Sequence, residues 1–135
     1  MLRLQDPNVE GQWFDFWVHG EKIKLKIRPS SGLIYDEIRK KYRKVKKERD
    51  PISRQMVTTE TYDDDAVNLD LIDHVLENFE GFGDADGKAL TPSKENKRNI
   101  MGIPPVADEQ SVAEFVYEKA RELAVKRADD SIKNS

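Results

Sequence analysis

The charged side chains in this chain that could do chemistry are carboxylates, lysines, arginines and two histidines, and it contains no cysteine. Asp63, Asp64 and Asp65 form the densest carboxylate run. Three acids in a row invite a metal reading, but side chains on neighbouring residues diverge from the backbone. Their place, just before an apolar stretch, assigns them to a helix start. There Asp63 or Asp64 caps the first turn and the others meet the positive end of the helix dipole.

Asp84-Ala85-Asp86-Gly87 is the nearest approach to a calcium loop. Setting Gly87 at the glycine position of an EF-hand puts Phe82 at the first ligand position and Ser93 at the last, where a bidentate Glu belongs. A turn closed by Asp-Gly is the better reading. His74 falls within an apolar stripe with no Ser, Cys or second His spaced to act with it, and His19 belongs to a turn. These residues define no catalytic set, no cofactor site and no metal site. The expectation is a protein that is not an enzyme.

The cations are more numerous and more clustered. From Lys22 to Arg54 there are thirteen Lys or Arg against four Asp or Glu, whereas Val57 to Thr91 carries ten acids and one Lys. The net charge of −3 hides this asymmetry. Opposed blocks pair within a fold, between copies as a homo-oligomer, or with a partner.

Period-two patterning places the N-terminal elements. In Gln12 to Val18, Phe14, Phe16 and Val18 alternate with Trp13, Asp15 and Trp17. After His19-Gly20, Ile23, Leu25 and Ile27 alternate with Lys22, Lys24 and Lys26. That is a β-hairpin with one buried face and one face carrying two Trp among lysines. Exposed aromatics of this kind serve protein–protein contacts, which makes Trp13 and Trp17 candidate partner-binding residues; stacking on lysine stems is the alternative.

Pro29-Ser30-Ser31 ends the hairpin, and Ile34, Ile38, Tyr42 and Val45 then recur at helical spacing. The expected element is a basic helix over residues 33–49, displaying Arg39, Lys40, Arg43, Lys44 and Lys47. Such a run could neutralise phosphates, so a nucleic-acid-binding module is the alternative function, although the acidic whole disfavours it.

Residues Ile52 to Tyr62 have strand character from Met56 onward and either offer the hairpin a third strand or form an extended loop. A helix follows from Ala66 to about Asn78, then a tight turn in which Phe79 and Phe82 are anchors and Gly81, Gly83 and Gly87 permit positive φ. Thr91 or Ser93 caps a short helix from Lys94 to Ile100, Gly102 ends it, and Pro104-Pro105 makes a corner. The last helix runs from about Glu109 to Ala128. These elements make one α+β domain over residues 1–135, an N-terminal antiparallel β-hairpin packed with about four α-helices. A loose lead-in covers 1–11 and a frayed tail 129–135. Low apolar content, no bilayer-length apolar run, no signal-type N-terminus and no cysteine together lead us to expect a cytoplasmic protein.

The order of parts in the C-terminal two thirds resembles the tail assembly chaperone type of small protein from tailed bacteriophages and prophages. The similarity rests on the apolar helix Leu69 to Leu76, the step Phe79-Glu80-Gly81-Phe82 and the Asp-rich turn to Gly87. It continues through Leu90-Thr91-Pro92-Ser93-Lys94-Glu95-Asn96-Lys97, and then Ile103-Pro104-Pro105 before a final helix. Relatives of this type often carry Trp where this chain has Phe79. The resemblance implies a non-enzymatic role in a bacterial host cell. It implies binding to the tape measure protein and tail tube subunits during assembly, with no place in the finished virion.

Overall fold

The structure, a computed structural model, describes residues 9–133, and side chains up to residue 130. Most of the expected lead-in therefore lies outside the described residues, as do the last two residues of the tail. The fold is α+β, with two small antiparallel sheets and four helices among the described residues.

Strands β1 (Gln12–Val18) and β2 (Glu21–Ile27) form the expected hairpin, with Phe14 opposite Leu25 and Phe16 opposite Ile23. His19 and Gly20 both have positive φ, which is the two-residue type I′ turn that matches the twist of the strands. Ile23, Leu25 and Ile27 are buried, and Phe14, Phe16 and Val18 pack beside them. Full burial of such side chains contributes roughly 2 kcal/mol each.

The third strand of this sheet is not the segment the sequence suggested. It is β5, Leu76–Glu80, which lies antiparallel on the free edge of β2. Helix α2 (Asp64–Val75) was expected to continue to Asn78, but it passes directly into that strand at Leu76. The apolar run Val75-Leu76 satisfies helix and strand periodicity equally, and pairing with β2 decides in favour of the strand.

Helix α4 (Val112–Lys133) covers the inner face of the sheet with Val112, Phe115, Val116 and Ala120. Phe115 stacks on Phe16 at 4.3 Å and meets Phe14 edge-on at 6.3 Å. Helix α3 (Lys94–Met101) adds Ile100 and Met101 to the same cluster. α4 runs to Lys133, so the helix continues through Asp129, where a tail had been expected.

Helix α1 (Gly32–Lys41) is capped by Ser31 and buries Ile34 and Ile38 against Val67 of α2, in a second, smaller cluster. Leu71 touches both clusters and joins them.

The basic helix over 33–49 is corrected. It stops at Lys41, and Arg43–Arg49 is instead strand β3, paired in register with β4 (Met56–Tyr62) as a separate two-stranded ribbon. Continuing the helix would stack Arg39 on Arg43, Lys40 on Lys44 and Arg43 on Lys47, like charges at i,i+4 that destabilise it. The β-branched partner strand Val57-Thr58-Thr59-Glu60-Thr61 offers an extended alternative. The chain turns at Tyr42, whose N–H bonds the carbonyls of Arg39 and Lys40. The Arg39 guanidinium lies 4.0 Å over the Tyr62 ring and ties the ribbon base to α1. Val45, expected on the apolar face of a helix, is exposed.

Candidate interaction surfaces

The outer face of the three-stranded sheet holds Trp13, Asp15 and Trp17 on β1, Lys22, Lys24 and Lys26 on β2, and Asn78 and Glu80 on β5. Trp13 is 39% exposed and Trp17 56%. Each ring lies 6.0 Å from the lysine directly opposite, Lys26 for Trp13 and Lys22 for Trp17. A lysine ammonium thus lies beside each ring, and both rings still present apolar area to solvent.

Lys26 is fixed by two carboxylates, donating to Glu10 at 2.8 Å and reaching Glu77 at 2.7 Å. Burial pushes the Glu77 carboxyl up, but Lys26, the Gly11 N–H and Arg28 outweigh it and hold the group below its ordinary range.

The ribbon is the second surface. Every residue of β3 is exposed, as is every residue of β4 before Tyr62. Arg43, Lys44 and Lys47 stand on it, whereas Arg39 and Lys40 stay on α1, so the expected basic set is divided between two elements. Strand alternation divides it again, placing Arg43 and Lys47 on one face and Lys44 on the other. Arg43 is partly neutralised by Glu60 at 3.6 Å. Val45, Val57 and Met56 are exposed along the ribbon, and Ile52 at its tip is 94% exposed. The tip turns on Asp50, whose carboxylate accepts from the N–H groups of Ile52 and Ser53.

Two charged residues that the sequence reading passed over hold the helices together. Asp70 is buried and accepts hydrogen bonds from Lys94 at 2.7 Å, Tyr42 at 2.8 Å and Lys41 at 3.1 Å. Burial raises its carboxyl, but the three donors prevail and lower it to about 2. Lys97 is buried on α3 and donates to the Asp73 carboxylate and carbonyl. The signal for both was present: a carboxylate inside the apolar stripe Val67–Val75, and a lysine beside Ile100 and Met101.

The aromatic-glycine turn keeps its aromatic anchors and two of the three expected positive-φ glycines; Gly83 instead pairs antiparallel with Ala89. Phe79 is buried and meets Phe82 edge-on at 5.7 Å. Gly81 has φ +98°, and a Cβ there would sit 3.3 Å from Ile23 Cα. Gly87 also has positive φ, in a loop closed by Asp84, which accepts from the N–H groups of Asp86 and Lys88. The Asp84 carboxylate is thus engaged by its own turn. Asp63 caps α2 through the Ala66 N–H, and Ser93 caps α3 through that of Asn96.

Two grooves among the described residues bring together no reactive set. One of about 260 Å³ lies between Pro29 and α4, lined by Gln12, Leu123 and Lys126 among others. Another, of about 620 Å³, is open between α2 and α3, with Asp63, Asp65, Leu69, Ile72 and Arg98 around it. Among the described residues no group of three His, Cys, Asp or Glu is arranged to hold a metal ion, and no helix is long and apolar enough to cross a membrane. His19 donates from Nε2 to the Pro104 carbonyl, joining the hairpin turn to the proline corner. No protein-family model, no curated protein and no solved structure matches this chain.

Proposed function

We propose that this chain is a non-catalytic assembly protein of bacteriophage or prophage tails, acting in the host cytoplasm. It would hold the tape measure or tail tube protein as a chaperone or scaffold. The observation that carries the reading is the outer face of the three-stranded sheet. It presents two exposed tryptophans, the residue type that most often dominates protein–protein binding, each with the ammonium of the lysine opposite 6.0 Å from its ring. The order of the aromatic-glycine turn, the capped helix after Ser93 and the proline corner supplies the resemblance to the tail assembly chaperone type.

The test is co-expression of the tagged chain with the tape measure and tube proteins encoded beside it. Capture of either that is lost in the Trp13→Ala/Trp17→Ala variant supports the reading, provided the variant keeps its circular dichroism and melting temperature. Failure to capture either one overturns it.

A second reading is favoured by the ribbon. A two-stranded β-ribbon fits the major groove of DNA, and β3 carries Arg43, Lys44, Lys46, Lys47 and Arg49. It requires retention on DNA that weakens steeply with salt and with neutralisation of Lys44 and Lys47. No retention at low salt sinks it.

A further inference from the structure

The two edges of the ribbon differ in a way that points to a partner. Five of the seven residues of β3 are Lys or Arg, and edge lysines are the device by which strands avoid unwanted pairing. β4, Met56-Val57-Thr58-Thr59-Glu60-Thr61-Tyr62, carries one charge and is otherwise made of residues that favour strands. Among the described residues no strand pairs with its outer edge. An isolated two-stranded hairpin is at best marginally stable in water, and this one adds no residue to either buried cluster.

The backbone bonds at the two ends of the ribbon, Asp50 N–H to Gln55 O and Asp63 N–H to Tyr42 O, fix which groups face outward. With the register Arg43 to Tyr62 through Arg49 to Met56, Val57, Thr59 and Thr61 bond inward to β3. Met56, Thr58, Glu60 and Tyr62 direct their N–H and C=O groups away from it.

We infer that the outer edge of β4 pairs antiparallel with β4 of a second copy of this chain, about a two-fold axis at Thr59, making a four-stranded sheet β3-β4-β4-β3. The strand is complementary to itself in this register. Met56 lies opposite Tyr62, Val57 opposite Thr61, Thr58 opposite Glu60, and Thr59 opposite Thr59. All seven residues are paired, the outward groups of Thr58 and Glu60 bond each other, and no like charges face one another. Moving the strands by two residues shortens the overlap, and in one direction sets Glu60 against Glu60. The lysines of β3 remain on the two outer edges, where they end the sheet. The interface is small, so the dimer is concentration-dependent. It does not rest on the tail-assembly reading, because it uses the ribbon edge and not the Trp13–Trp17 face.

The chain has no cysteine, so a single introduced one reports the register without interference. Residues opposed without mutual hydrogen bonds lie about 4.5 Å apart between Cα atoms, within the range of about 4.4–6.8 Å that a disulfide spans. On oxidation Thr59→Cys should give a covalent dimer, whereas Thr61→Cys, whose partner is Val57, should not. By light scattering the wild-type mass should be twice 15.6 kDa. Thr58→Glu should return it to the monomer by facing Glu60 of the other copy, with circular dichroism unchanged. The exchange Thr58→Glu/Glu60→Thr should restore the dimer. A wild type that stays monomeric over the accessible concentration range overturns the inference, including the case where the edge instead takes a strand from another protein. Equal cross-linking at Thr59→Cys and Thr61→Cys, or no rescue by the exchange, also overturns it.

Discussion

Asp70 shows at the scale of one residue how a charge can sit inside this fold. A buried carboxylate is costly unless its lone pairs are filled, and here Lys94, Tyr42 and Lys41 fill them from α3, the end of α1 and α1 itself. Its carboxyl is held at about 2, against an ordinary value of 3.8. A group whose folded value is depressed stabilises above the unfolded value, and that stability is lost as pH falls through the folded one. Both lysines are at least half exposed, so solvent reduces the contribution to about 1–2 kcal/mol. Urea unfolding of Asp70→Asn against wild type should show a gap of that size at neutral pH, closing between about pH 4 and pH 2. A gap that stays constant over this window would mean the loss comes from packing and not from the ion pairs. Gly81 is the second residue-scale case. Gly81→Ala combines φ +98° with a 3.3 Å approach to Ile23, and should lower stability by more than about 1 kcal/mol in the same assay.

Elements differ sharply in what they contribute. Leu25 is fully buried between β5 and α4, and Leu25→Ala should cost about 3 kcal/mol of unfolding free energy. The ribbon, in contrast, joins neither buried cluster, and its ends meet at the Asp63 N–H to Tyr42 O bond. Replacing residues 43–62 with a short Asn-Gly link should change the unfolding free energy of the remaining domain by less than about 1 kcal/mol. A larger loss would show that the ribbon supports α1 and α2.

The same contrast explains what was legible in the sequence. The β1–β2 hairpin and α4 each carry a period of apolar residues that only one structure can bury, and both form, α4 with its ends shifted to Val112 and Lys133. β3 has no such period: Val45 is its one apolar residue, and its conformation comes from a partner strand and from like-charge repulsion along the alternative helix. β5 was hidden because its apolar residues continue those of α2 without a break. Of the candidate surface, Trp13 and Trp17 were readable from strand alternation. The grouping of Arg39, Lys40, Arg43, Lys44 and Lys47 was not, since it depended on a helix that ends at Lys41.

For the whole molecule, the charge asymmetry along the chain resolves into two arrangements. Acids of the block from Val57 to Thr91 meet cations across the fold, as in Glu77 with Lys26 and Arg28, and Asp70 with Lys41 and Lys94. The cations of the ribbon are left largely to solvent. The structure thus separates a packed body, a sheet face with two exposed tryptophans and an exposed ribbon. The measurement that tests the central claim most directly is capture of the tape measure and tube proteins by the tagged chain, run beside the Trp13→Ala/Trp17→Ala variant. Recovery of at least one tail protein by the wild type, and its loss in a variant with an unchanged melting temperature, is the predicted result. Recovery of neither, or equal recovery by both chains, would contradict the claim that this sheet face binds a tail component.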